Sequence, residues 1–364
     1  MTEARFIAIN YTFVLILVGL VQVFIQSFSK KGYTLGVSVP KDVRGTETMK
    51  QILNDYKMMT LTMTIFLGLC QYFLTYITKS VGFLTLFFFI SLGLLSLPLI
   101  IYNKNLKTMT SGLSYDKKKI VVLDNNQSKI DLRKTMWIGY GASLLLIIGV
   151  SLFLFINYDK IADKIIMQTD FEGNVTDLRD KTYLNVFYPT LISLASLTMF
   201  WLINLMVIKV RPRISKENPE KSLENNRKAK KAWTYYLGLN AFVMTLLFEI
   251  GVNYLALKNI SLPLYILTGL TILLSIGGVI FLGIKVGTDG SKLDKMDDFS
   301  FEEDDKYWLL GSMFYNNPED PALFVAKRVG VGYTINIGKT SGKIIMILTL
   351  FVLIFALVQI FIYE

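Results

Sequence analysis

Eight apolar stretches of about 20 residues each divide this chain, and together they hold a single charged side chain, Glu249. They fall at 6–27, 58–78, 81–102, 136–156, 184–208, 233–257, 262–284 and 344–363. An uncharged apolar run of roughly 18 residues or more is long enough to cross the hydrocarbon layer as a helix, which satisfies its own backbone there. The pattern predicts an all-α polytopic membrane protein of about eight transmembrane helices, joined by small cytoplasmic and extracellular loop elements.

Apolar residues make up 52% of the 364, and the mean hydropathy is +0.46, both too high for an ordinary soluble globule. The net charge of +10 invites a nucleic-acid reading, but its distribution argues against one. Segments 28–57, 103–135, 209–232 and 285–343 carry 31 of the 38 Lys and Arg, and the alternate loops with the N-terminus carry 7. Basic residues mark the cytoplasmic side. The expected partner is therefore the lipid bilayer, at the plasma membrane, with both termini extracellular. The first stretch lacks a small-residue cleavage motif and reads as a retained helix.

Chemistry is sparse. Histidine is absent, which removes the commonest general base and metal ligand, and the one cysteine, Cys70, lies inside the second stretch. Gly338-Lys339-Thr340 fails as a P-loop because Tyr333 stands where its first Gly is needed. No metal, cofactor or catalytic set is expected.

The organisation predicted is a four-helix membrane half (1–157), an extracellular loop (158–183), three further membrane helices (184–285), a folded cytoplasmic segment (286–343) and a last membrane helix (344–364). Lys119 to Leu123, an Asp124-Asn125-Asn126 turn and Gln127 to Ile130 predict a small hairpin. Segment 209–232, mostly charged, reads as a solvated loop. The pentads 35–39 and 282–286, Leu-Gly-Val-Ser-Val and Leu-Gly-Ile-Lys-Val, leave room for two related halves. In 286–343 the aromatics Tyr307, Trp308, Phe314 and Tyr315 flank Asn317-Pro318 and Asp320-Pro321 turns, which predicts ordered backbone packed on the inner ends of helices.

Glu249 is the sharpest single residue. Thr245, Glu249 and Asn253 stand four apart, so they predict one polar stripe on the sixth span, in its outer half. An ionisable group there faces protein or a cavity, and serves either as a proton or cation site or as interhelical glue. Asn10, Gln22, Trp201 and Asn204 are weaker candidates for the same interior.

Two segments resemble known families. The loop from Tyr158 to Lys181 is similar to the domain of unknown function 1648, matching at Asp163, Ile165, Gly173 and Lys181. Ala162 and Ile166 replace two prolines of that pattern, and Gln168 stands where a His is usual. Trp308, Gly311, Phe314, Tyr315, Asn317, Pro318, Asp320 and Pro321, followed by Lys327-Arg328, Gly330, Gly332 and Asn336, resemble a short C-terminal domain of firmicute multi-pass membrane proteins. The wider group includes relatives of the SdpI immunity family, so the resemblance implies a Gram-positive plasma-membrane protein linked to peptide-toxin immunity. The expected function is non-enzymatic, in envelope stress, immunity or signalling, with a secreted peptide or another membrane protein as partner. A transporter of a lipid, peptide or small cationic solute using Glu249 is the alternative, and a membrane enzyme on lipid-linked substrates a third.

Overall fold

The computed structural model describes residues 3–111, 126–169, 175–210, 212, 218–257, 261–293 and 305–362. In chain order the elements are α1 (Glu3–Val23), α2 (Ile25–Phe28), β1 (Tyr33–Thr34), β2 (Val37–Ser38), α3 (Lys41–Arg44), α4 (Glu47–Ile77), α5 (Val81–Leu94) and α6 (Leu97–Thr110). There follow α7 (Asn126–Ile156), β3 (Lys164–Thr169), β4 (Val175–Asp180), α8 (Tyr183–Lys209), α9 (Pro219–Leu257) and α10 (Ser261–Lys285). The last are β5 (Trp308–Leu309), β6 (Phe314–Tyr315), β7 (Phe324–Ala326), β8 (Tyr333–Ile335) and α11 (Thr340–Ile362). The strands pair as four antiparallel two-stranded hairpins.

Hydroxyl caps start several of the helices. Thr46 accepts from the Met49 N–H, Ser80 from Phe83 and Thr182 from Asn185, each satisfying a donor that the first turn leaves open. Among the described residues six helices are long and apolar enough to cross a membrane: Glu47–Ile77, Val81–Thr110, Asp131–Ile156, Tyr183–Lys209, Ile266–Lys285 and Thr340–Phe361. That is two fewer than expected. The first expected span contains a shorter apolar helix, Ile7–Val23. The sixth lies on α9, whose side chains beyond Gly251 lie outside the described residues.

Other expectations are corrected. The third span stands as one apolar run, Val81–Thr110, but its helix is interrupted at Leu95 and Ser96, because Pro98 has no N–H for the carbonyl four residues back and its ring crowds it. Residues 119–125 of the expected hairpin lie outside the described residues, and Gln127 to Ile130 are helical in α7. Segment 209–232 is no loop beyond Pro219, where α9 begins, and Asn225, Asn226 and Lys230 are buried. The two pentads share no backbone: Leu35 and Gly36 make a left-handed turn (φ 43° and 84°) between β1 and β2, whereas 282–285 end α10.

The chain forms two compact units. One comprises Met1–Val121, Arg213–Leu223 and Gly287–Glu364. In it α1 and α4 run antiparallel with Gly19 against Thr64 and Gly68 near Thr12, and a core of Leu35, Val37, Met49, Tyr56, Leu99 and Val329 gathers the hairpins. The other comprises Val122–Pro212 and Glu224–Val286. Its α7 and α9 touch backbone to backbone at Gly139 and Gly238, around a core of Met136, Tyr140, Leu197, Ile208 and Ala241.

Candidate functional site

Within the second unit, α8 and α9 are joined by polar side chains at three levels. Lys230 donates to the carbonyls of Ile208 (3.2 Å) and Val210 (2.6 Å), covering the carboxyl end of α8. Thr234 donates to Asn204 Oδ1 at 3.0 Å, and Asn204 Nδ2 donates to Tyr140 Oη at 3.3 Å. At the third level Thr190 Oγ1 donates to Glu249 Oε2 at 3.4 Å, and the Ser193 hydroxyl lies beside the same carboxyl.

Glu249 is 1% exposed. A cavity of about 330 Å³ is lined by Leu247, Phe248 and Gly251 of α9, Tyr188, Pro189 and Ile192 of α8, Thr268 of α10 and Met167 of β3; Glu249 itself is not part of the lining. Pro189 sits inside α8 and gives up one helical hydrogen bond there. A Cβ built on Gly251 meets nothing within 4 Å, so the wall at that point is open. The result is an apolar recess among α8, α9, α10 and β3, lined on α9 by residues that flank Glu249 in the sequence.

Of the expected stripe, Thr245 and Glu249 are both buried on α9. Thr245 is buried, but its hydroxyl bonds back to the Ala241 carbonyl at 2.8 Å within its own helix. The Asn253 side chain lies outside the described residues. Thr190 and Ser193, which do reach Glu249, were missed because a hydroxyl in an apolar helix usually bonds its own preceding turn.

In the loop between α7 and α8, Asp163 and Lys181 come together. Lys181 Nζ is 3.6 Å from the Asp163 carboxylate, donates to the Ile161 carbonyl at 2.9 Å and lies 5.3 Å from the Tyr158 ring centroid. Ile165 is buried below them with Leu154, Ile161 and Val186. Gln168 pairs in register with Asp177, but its side chain, like the whole of Gly173, lies outside the described residues.

The C-terminal motif residues belong to the first unit and act on backbone. Trp308 and Tyr315 pair across β5 and β6 with ring centroids 5.0 Å apart, both nearly fully buried, and Phe314 is half-buried. Gly311 (φ 69°) turns that hairpin against the backbone of Ile100 on α6. Asn336, 0% exposed, is the hub: its Oδ1 accepts from the N–H of Asn317 and Gly338, and its Nδ2 donates to the carbonyls of Asn317, Asp320 and Ala322. Tyr315 donates to Asp320 Oδ2 at 3.2 Å, Lys339 to the Pro321 carbonyl at 2.7 Å, and Pro318 lies against Gly338. Arg328, 2% exposed, forms an ion pair with Asp305, donates to the Gly36 carbonyl and lies between the rings of Tyr33 and Trp308.

A model described as a family of unknown function, DUF5808, matches residues 318–343, which contain Pro318, Asp320, Pro321, Arg328 and Asn336. Neither the curated proteins nor the solved structures contain a match to this chain.

Proposed function

We propose that this chain is a non-enzymatic multi-pass protein of a Gram-positive plasma membrane, with eight spans and both termini outside. It binds a cationic amphipathic peptide beside Glu249, in the service of peptide-toxin immunity or envelope-stress signalling. The reading is carried by the buried Glu249 on α9 together with an apolar cavity of about 330 Å³ lined by its helix neighbours Leu247, Phe248 and Gly251. A carboxyl inside an apolar helix is costly to keep and commonly marks a ligand or ion path. A peptide offers the complement, an apolar side chain for the recess and an ammonium for the carboxyl. The cavity is near the lower limit of small-ligand sites, roughly 300 Å³, so it takes one side chain or a short segment.

The test is protection of a susceptible bacterium from a synthetic amphipathic Lys-Leu peptide. Expression of the chain should raise the inhibitory concentration. Glu249→Gln removes the charge and Gly251→Leu fills the recess; both should insert normally and protect no better than an empty vector. Full protection by both variants would end the binding claim. Topology is checked separately, after Cys70→Ser, with an impermeant maleimide on intact cells. Asp180→Cys should be labelled, and labelling of Lys50→Cys would reverse the orientation.

The second reading is a transporter of a lipid, peptide or small cationic solute. Pro189 and Gly251 favour it, since a kink and a gap in the walls of one cavity suit a helix that moves. Uptake of a labelled lipophilic cation into proteoliposomes, lost in Glu249→Gln, would select it.

A further inference from the structure

A separate inference, independent of the Glu249 reading, comes from the first unit. Lysine is seldom buried. Yet Lys30, Lys31, Lys292 and Lys327 are all half-buried, where the end of α2, the turn at 287–292 and the β7–β8 connection meet. Lys292 donates to the Ser27 carbonyl, and Lys30 to the Ala326 carbonyl at 3.3 Å. The Gly330 N–H donates to Ser29 Oγ and the Gly332 N–H to Thr288 Oγ1, both at 3.3 Å, which ties the three segments together.

The turn is folded back on itself by Gly287 (φ 73°) and Gly290 (φ 79°). A Cβ placed on Gly287 would lie 3.3 Å from Lys292 Cγ and 3.7 Å from Ser291 Oγ, so these two side chains share one side of the turn. Ser291 is 3% exposed, and its hydroxyl has no hydrogen-bond partner among the described residues. The turn itself supplies one carboxylate, Asp289, which accepts from the Ser291 N–H at 3.1 Å. Burial, and then the charge of Lys31, lower the Lys292 pKa, while Asp289 opposes them; burial alone lowers that of Lys327. Among the described residues that form this junction the lysines outnumber the carboxylates, and they are partly removed from water.

We infer that Lys31, Lys292 and Ser291 Oγ hold a phosphate group, of the kind carried by an anionic phospholipid headgroup. Phosphate oxygens accept charge-assisted bonds from ammonium and hydroxyl donors, which would give the buried Ser291 hydroxyl a partner and relieve the crowding of lysines. Lys30 and Lys31 follow closely on the apolar run Ile7–Val23 of the same unit, so this arm stands where an apolar helix ends. That is the level of headgroups, and it favours a lipid over phosphate in solution.

The experiment uses the full chain in neutral detergent, with thermal stability read against added short-chain phosphatidylglycerol, short-chain phosphatidylcholine or inorganic phosphate. Phosphatidylglycerol should stabilise saturably, at lower concentration than phosphatidylcholine. Lys31→Gln and Lys292→Gln should each raise the half-saturating concentration about fivefold, and Lys50→Gln, on an exposed part of α4, should not. Ser291→Ala keeps every charge and should still weaken binding, which separates the site from a general basic surface. Equal response to inorganic phosphate would assign the same donors to a soluble phosphate. No saturable response to either phosphatidylglycerol or phosphate, or an equal loss in Lys50→Gln, would overturn the inference.

Discussion

The apolar helices around Glu249 and the hairpins around Arg328 bury polar side chains for opposite reasons. Between the helices several bonds join side chain to side chain, Thr190 with Glu249, Thr234 with Asn204 and Ser275 with Asn240, and those to backbone include the Lys230 cap on the end of α8. Among the hairpins, side chains serve backbone: Arg328 binds the Gly36 carbonyl, Asn103 that of Leu35, Lys107 those of Asp305 and Trp308, and Asn336 three more. A helix pairs its own N–H and C=O groups, so polar side chains on it are surplus to folding. Strands of two or three residues leave carbonyls unpaired, and a buried one must find a donor. Polar residues in the hairpins therefore hold structure, whereas Glu249, among the described residues, satisfies no backbone group that its helices leave open.

This contrast is most exposed to test at Arg328. Arg328→Met removes the ion pair to Asp305 and one of the two donors to the Gly36 carbonyl, leaving the hydroxyls of Ser38 and Ser312, and should cost about 3 kcal/mol, as removal of one partner from a buried ion pair does. Protease cleavage within 305–339 of the purified protein should accelerate sharply. A melting curve like the wild type's would make the hairpins no different from the helices. Asn336→Ala comes next: with five bonds lost, a cost of roughly 3 kcal/mol is expected, read by denaturant or heat.

Glu249→Gln should do far less to stability. An amide keeps the hydrogen-bonding shape, and interhelical polar contacts in apolar helices contribute about 0.6 kcal/mol each, so the melt should barely move while peptide protection is lost. A large drop in stability would place Glu249 with the structural residues and erase the contrast.

The smallest effect is on pH dependence. Burial holds the Lys327 and Lys292 pKa values below the usual lysine range, so in the window below about 10.4 the unfolded chain binds more protons than the folded one. Stability should therefore rise slightly as pH increases from neutral towards that value. Burial and Asp289 push the Tyr333 phenol upward, which acts in the opposite sense once pH passes the ordinary tyrosine range. Lys327→Met should flatten part of the rise in a denaturant titration at several pH values; an unaltered slope would show that Lys327 contributes none of it.

How far the chain was legible varied with the range of the interaction. The apolar helices were plain from composition, although Pro98 interrupts the helix of one of them. The aromatics at 307–315 were expected to pack, and Trp308 and Tyr315 do so almost completely. Glu249 stood out as the one charge in its surroundings, but its partners did not, because Thr190 and Ser193 look like any helix hydroxyls. Arg328 and Ser291 carried no mark of their burial, since one basic residue or serine among many reveals nothing until its neighbours are known.

What the sequence determined by itself is the mostly helical, apolar character of the chain and the segregation of its basic residues. Hydropathy is a sum over neighbours along the chain, so both can be read in any window of about 20 residues. Only the tertiary structure decided which polar groups meet: Ser312 donates to the carbonyl of Gly36, 276 positions earlier, and Arg328 to the same carbonyl across 292. Those bonds exist because short strands leave carbonyls that nothing local can satisfy, and a residue's type does not say which distant carbonyl it will be folded against.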